Sequence, residues 1–241
     1  MENNPVETNQ NNQVPKNQSQ IAGAILIVGI LIAGAILLKG APTEPVKNTN
    51  TNPNAQVAGD LRPVGADDHI LGNLNAEVVI VEYSDTECPF CKVFHNTLHQ
   101  IVTENNGTVA WVYRHWPIES LHQKAFREAE ATECAYDQGG HAMFWKYIDE
   151  VFARTQSNDK LDVAELPKIA SELGLDLVKF NDCLDTGKFV NKIESQVMEA
   201  QSAGARGTPA SFIVVGGKVV ATIPGAMSKA NLQAKLDTFL K

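Results

Sequence analysis

The sequence predicts an α/β domain, and three observations carry that prediction. An uninterrupted apolar run opens residues 78–83 and closes on Glu82-Tyr83, which reads as a central strand. Cys88-Pro89 then opens an amphipathic stretch that stops at Asn105-Asn106-Gly107. Proline suits a first helical turn, where its missing N–H is no loss, and Asn and Gly suit a helix end. Far downstream, two apolar runs flank Gly216-Gly217, a strong hairpin signal.

The remaining elements follow in order. Val109, Trp111 and Tyr113 alternate with Ala110, Val112 and Arg114, which predicts a second strand over 109–115. Residues 121–201 carry a helical pattern. Segments near 121–137, 141–153, 163–173 and 188–204 are separated by Gly139-Gly140, by Ser157-Asn158-Asp159 and by Gly174. The hairpin occupies 211–215 and 218–223, and a helix over 229–240 closes the domain.

The N-terminal part is of a different kind. Residues 1–20 are rich in Asn and Gln and predict a disordered polar tail. Residues 21–38 hold no charge and are made of Ile, Leu, Val, Ala and Gly. As a helix that run spans about 27 Å, close to the hydrocarbon thickness of a bilayer. A retained membrane anchor is the expectation. A cleaved signal peptide is the competing one, although Ala33-x-Ala35 lies inside the apolar run and only Lys16 precedes it. Residues 39–60, dominated by Pro, Asn and Thr, predict a flexible linker to the domain at 61–241. The net charge of −8 comes without a basic stripe, which excludes a nucleic-acid partner.

The chemistry centres on Cys88-Pro89-Phe90-Cys91. Cys88 sits over a helix N-terminus, where unpaired N–H groups and the dipole favour a thiolate and lower a thiol pKa from about 8.5 to roughly 3.5–7.5. Cys91, nearly one turn deeper, points toward the core. Exchange needs such a pair, one accessible thiol of low pKa and one shielded partner. A purely structural disulfide across so small a loop would stabilise little. Cys91, His95 and His99 also share one helix face. Ligands strung along one straight helix cannot surround a tetrahedral ion, so no metal is expected and both histidines are placed on a solvated face. Cys134 and Cys183 are read as a structural bridge closing about fifty residues, worth about 4 kcal/mol by chain entropy. Free buried thiols and a redox relay stay open, because four cysteines allow three connectivities. Trp111, Trp116, Phe144 and Trp145 are expected in the core or at its rim. Asp85 reads as a turn residue, and His69, His115, His122 and His141 have no assigned partner.

These motifs carry a resemblance. Cys88-Pro89-Phe90-Cys91 and Gly207-Thr208-Pro209, with Glu82-Tyr83-Ser84-Asp85, Tyr113-Arg114-His115 and Phe144-Trp145, resemble the thioredoxin superfamily. The DsbA-type branch is the nearer likeness, over about residues 61–241. The resemblance implies a thioredoxin-like fold with a helical insertion at about 121–201. It implies a cis Thr208–Pro209 bond facing the cysteines, and a substrate surface made of Thr208, Pro209, Pro89 and Phe90. It also implies that Glu82 is a buried acid exchanging a proton with the Cys91 thiol. The alternative for Glu82 is a strand-end carboxylate facing water.

The resulting expectation is a membrane-tethered thiol:disulfide oxidoreductase without a cofactor. It oxidises reduced exported polypeptides on the extracytoplasmic side of the cell membrane, acts as a monomer, and is reoxidised by a membrane redox partner. Reductase or isomerase chemistry at the same pair is the alternative, since Phe90 lacks the imidazole that the DsbA type often carries there. A tethered peptide-binding holdase is a non-enzymatic second alternative. A metal-delivery role would need a Met or His cluster beside the cysteines, and none of the four Met lies nearby.

Overall fold

The computed structural model describes residues 61–241, so the expected tail at 1–20, span at 21–38 and linker at 39–60 lie outside the described residues. Among the described residues, no helix is long and apolar enough to cross a membrane.

A five-stranded sheet forms the centre, in the order β1-β3-β2-β4-β5. Its strands are β1 (His69–Leu71), β2 (Val78–Ser84), β3 (Val109–His115), β4 (Ala210–Val215) and β5 (Lys218–Pro224). β2 and β3 run parallel, and the other pairings are antiparallel. Parallel strands need a crossover, and α1 (Pro89–Glu104) supplies it. The apolar run of β2 is explained by its place, bonded on both edges and buried on both faces.

Side-chain alternation splits the core by face. Val78 and Ile80 of β2, Trp111 and Tyr113 of β3 and Ile213 of β4 meet Phe94, Leu98 and Ile101 of α1, and Leu232 of α6 (Lys229–Leu236). Val81, Tyr83, Val112 and Phe212 form the opposite face, under Ala200 of α5 (Val190–Ser202). On α1 the buried positions Cys91, Phe94, His95, Leu98, Ile101 and Val102 follow helical spacing. Asn105 ends the helix, its backbone N–H reaching the Ile101 carbonyl, and the chain then reverses through Asn106 (φ 47°) and Gly107 (φ 89°).

The helical block between β3 and β4 holds α2 (Ala125–Arg154), α3 (Glu165–Glu172), α4 (Leu177–Asp185) and α5. The two segments predicted at 121–137 and 141–153 meet within α2, and the helical geometry breaks between them where Gly140 takes φ 65° and ψ −162°. Glycine permits that conformation, so α2 is two helical segments joined end to end across Gly140. Helix α4 was not predicted, and neither was β1. In α4, Phe180, Cys183 and Leu184 face a small core of the block itself, with Tyr147, Val151, Leu166 and Ile169. Asp176 caps α4 by accepting from the Val178 and Lys179 amides. The last helix stops at Leu236, short of the predicted residue 240.

Two links tie distant segments. Cys134 of α2 and Cys183 of α4 are disulfide-bonded, with Cα atoms 5.9 Å apart. Buried Arg114 donates from Nε to Asp68 Oδ1 and from a terminal nitrogen to Asp68 Oδ2, both at 2.9 Å, and a second nitrogen reaches the Tyr83 hydroxyl at 3.0 Å. This paired, fully bonded charge fixes the chain entering the domain, and removing one partner of such a pair costs about 3–5 kcal/mol.

Replacing both Cys134 and Cys183 by Ala is expected to lower the unfolding free energy by up to about 4 kcal/mol, the loop-closure value for a separation of 49 residues. Denaturant titration checks it, and an unchanged midpoint would mean that the block's own core holds α4 in place without the bridge.

Candidate functional site

Strand β2 delivers the chain to the N-terminus of α1, and the turn between them sets the first cysteine. Asp85 organises that turn. Its Oδ1 accepts from the Glu87 amide at 2.9 Å, its carbonyl accepts from the Cys88 amide at 3.2 Å, and its Oδ2 accepts from the Ile118 amide at 2.8 Å. Oδ2 also lies 2.9 Å from His122 Nδ1, a partner the sequence did not reveal. Cys88 occupies the N-cap with extended backbone, and Pro89 follows in the first turn.

Both cysteines are free thiols. Cys91 is wholly enclosed, and the Asp85 amide donates to its sulfur at 3.5 Å. Cys88 is only 5% exposed, less than the accessible thiol expected, because its Sγ lies 3.4 Å from the Thr208 carbonyl oxygen. The thiols differ in acidity. The adjacent Cys91 thiol, as hydrogen-bond partner for a thiolate, and the backbone N–H groups of Cys91 and Phe90 lower the Cys88 pKa to about 6, against the opposing effect of burial. Burial, with the charge of its neighbour, pushes Cys91 well up.

The Thr208–Pro209 bond is cis. Pro209 is buried at the start of β4, and its carbonyl accepts from the Gly225 amide at 2.9 Å. Beside it opens a cleft of about 830 Å³, which Thr208, Pro209, Phe212 and Pro224 help to line. Pro89 and Phe90 stand apart from that lining on the surface, with Phe90 65% exposed.

Glu82 lies in the interior of the sheet, not at a wet strand end. It pairs across the ladder with Tyr113 on one side and Ser211 on the other. Neither of its carboxyl oxygens has a hydrogen-bond partner among the described residues, and the same holds for the Tyr113 hydroxyl and the Ser211 hydroxyl. Burial raises the Glu82 pKa to about 8, and its charge in turn helps to push Cys91 up. At neutral pH Glu82 is therefore mostly a neutral acid. The sequence signal for Tyr113 and Ser211 was only their strand position, which names a row once the register is known.

The remaining cysteines sit elsewhere. The Cys134–Cys183 bridge belongs to the core of the helical block, and Cys88 and Cys91 belong to the core of the sheet. The histidines need correction. His95 is buried, not solvated, because α2 covers that face of α1. His95 Nε2 lies 2.7 Å and His99 Nε2 2.9 Å from Asp149 Oδ1. His69 and His115 are buried against Glu133, at 2.9 and 3.2 Å.

Comparison with known proteins agrees with this architecture. Residues making up 73% of this chain resemble the crystal structure of Pseudomonas aeruginosa DsbA2 (29% identity, TM-score 0.61), of which they cover 96%. The chain also shares the fold of Bacillus subtilis BdbD in its oxidised form (20% identity, TM-score 0.63, covering 75% of this chain and 97% of that one). A sequence relative is the Na(+)/H(+) antiporter NhaA 1 of Mycolicibacterium vanbaalenii, 31% identical over 156 residues, which are 64% of this chain and 24% of the antiporter. The chain thus spans about a quarter of the length of that relative. The family pattern described as thioredoxin matches residues 65–238, and with the sheet order, the Cys88–Cys91 pair and the cis Pro209 in place, the chain belongs to the thioredoxin family.

Proposed function

We propose that the chain is a thiol–disulfide oxidoreductase that introduces disulfides into exported polypeptides by exchange at Cys88 and Cys91. One observation carries the reading: Cys88 caps the N-terminus of α1 with its sulfur 3.4 Å from the Thr208 carbonyl of the cis-proline loop, whereas its partner Cys91 is sealed one turn deeper, an arrangement that lowers the Cys88 pKa and raises that of Cys91. A thiolate that is stable at neutral pH is a good leaving group, and it favours the reduced pair, so the oxidised pair is a good oxidant.

The exchange balances in two steps. A substrate thiolate attacks Cys88 Sγ of the disulfide, a mixed disulfide forms, and Cys91 leaves with the electron pair. Cys91 takes a proton, and neutral Glu82, whose charge acts on the Cys91 thiol, is assigned as its donor. A second substrate thiolate then attacks the substrate sulfur of the mixed disulfide and releases Cys88 as thiolate. The substrate loses two electrons and the pair gains them. The cleft beside Thr208 and Pro209 suits an extended peptide, with exposed Phe90 and Pro89 as neighbouring contacts. The Phe90 side chain has no donor, so the Cys91 thiol, the backbone amides and the Thr208 side chain carry the thiolate stabilisation. Cys134–Cys183, in a separate core, takes the structural part.

A membrane redox partner reoxidises the pair, no cofactor and no nucleic acid take part, and the chain acts as a monomer. Residues 21–38 anchor it as a single pass, with the domain on the extracytoplasmic side, where disulfides persist.

Cys88→Ser is expected to abolish oxidation of a reduced model peptide, and Cys91→Ser to trap a mixed disulfide at Cys88. Mass spectrometry of the adduct checks both, and an adduct on Cys91 would reverse the roles. A depressed thiol pKa adds stability that is present above the unfolded value of about 8.5 and is lost as pH falls through the folded value of about 6. The reduced chain should therefore gain stability over the oxidised chain between pH 6 and 9, by about 1 kcal/mol at pH 7. A pH-independent difference between the two forms would contradict the lowered pKa. Protease added to spheroplasts should remove the domain, and protection until lysis would place it in the cytosol and turn the preferred reaction toward reduction.

A further inference from the structure

Two side-chain clusters lie outside the site described above, and they differ in one respect. His69, His115 and Glu133 converge in the interior, but the Lys192 ammonium already answers the carboxylate, 2.8 Å from Glu133 and 3.1 Å from His69 Nε2. Burial lowers the His69 pKa to about 4, so that ring is neutral. Lys192 thus already stands where an added cation would meet this carboxylate.

The second cluster has no such cation. His95 and His99, one turn apart on α1, point their Nε2 atoms at the Asp149 carboxylate on α2. The two nitrogens lie 3.2 Å apart, and each lies within 2.9 Å of the same oxygen. In a tetrahedral zinc site with bonds of roughly 2.0–2.1 Å, neighbouring ligand atoms stand about 3.3 Å apart. The nitrogen–nitrogen edge already fits. The carboxylate, 45% exposed, has room to retreat by the few tenths of an ångström that remain. The cluster forms part of the wall of an open pocket of about 300 Å³, with Lys92 beside it engaged by the Thr155 carbonyl. The pocket leaves space for water at a fourth position. The objection raised by the spacing of His95 and His99 also falls, because Asp149 brings the third ligand from another helix.

We propose that His95, His99 and Asp149 form a site for a divalent transition-metal ion of the zinc and copper class, joining α1 to α2. Two imidazoles and one carboxylate suit such ions better than calcium or magnesium, which prefer all-oxygen ligands. The ligands converge only in the folded chain, so the metal stabilises the fold by mass action. The site is independent of the thiol chemistry. It joins the helix that begins at Cys88 to the segment of α2 beyond Gly140.

The test uses the full chain with Cys88→Ser and Cys91→Ser, which removes the thiols as competing ligands. Calorimetry with Zn²⁺ should show one equivalent bound, and the melting temperature should rise. Cu²⁺ should quench tryptophan fluorescence, because Trp111 and Trp145 stand 5.3 and 5.9 Å from the His99 ring. His99→Ala and Asp149→Asn, both at half-exposed positions, should each weaken Zn²⁺ binding at least about tenfold and remove the quench, with an unchanged circular dichroism spectrum. Absence of Zn²⁺ binding, or binding that survives both substitutions, overturns the proposal.

Discussion

Strand β2 must be buried on both faces and bonded on both edges, and the rest of the site depends on that constraint. A strand so enclosed has one orientation, so its C-terminal end delivers Asp85 and Cys88 to one place. β3 and β4 then fix what lies beside it: Arg114 and His115 end the parallel neighbour, and Ala210 begins the antiparallel one. The Thr208 carbonyl reaches the Cys88 sulfur because β4 starts level with the end of β2. A disturbance in this strand would move the cysteine turn, the cis-proline loop and the buried acid together.

The domain answers the cost of a buried carboxylate in three ways. Asp68 and Glu133 stay ionised because cations or ring nitrogens meet them, and both titrate below the usual range despite burial. Glu82 and Glu128 have no partner for either oxygen among the described residues, and burial raises them to about 8 and about 9. They are stored as neutral acids, which is the cheaper state in a medium of low polarity. Asp149 takes the third course, at the surface, where two imidazoles hold its pKa at about 2 with burial opposing them. Of the two neutral acids, Glu82 is the one whose charge bears on Cys91.

Much of this was legible in the sequence. The apolar run of β2, the Cys-Pro start of α1 and the Gly-Gly hairpin are local signals, and each names its element without reference to the rest. Helix α4 is short, and its exposed Val178 blurs the amphipathic pattern, so only the tertiary core reveals it. β1 is three residues long and exists because β3 offers an edge. The histidine partners were invisible for a different reason. Asp149, Glu133 and Asp85 lie 18 to 64 residues from the histidines they meet, and no spacing rule connects them. The reading of Glu82 as buried came from family resemblance, whereas the row it shares with Tyr113 and Ser211 needed the strand register.

The Cys134–Cys183 bridge has a consequence for how the chain comes apart. It closes a loop that contains the Gly140 kink, all of α3 and the loop at 155–164 with its three consecutive residues of positive φ, Ser157, Asn158 and Asp159. A backbone cut anywhere inside that loop leaves two fragments that are still one covalent molecule. The sheet comes from both fragments, β2 and β3 with the Cys88–Cys91 pair from the first, and the cis Pro209 with β4 and β5 from the second. A nicked domain would therefore migrate as an intact chain until reducing agent is added, and would keep its halves in register meanwhile.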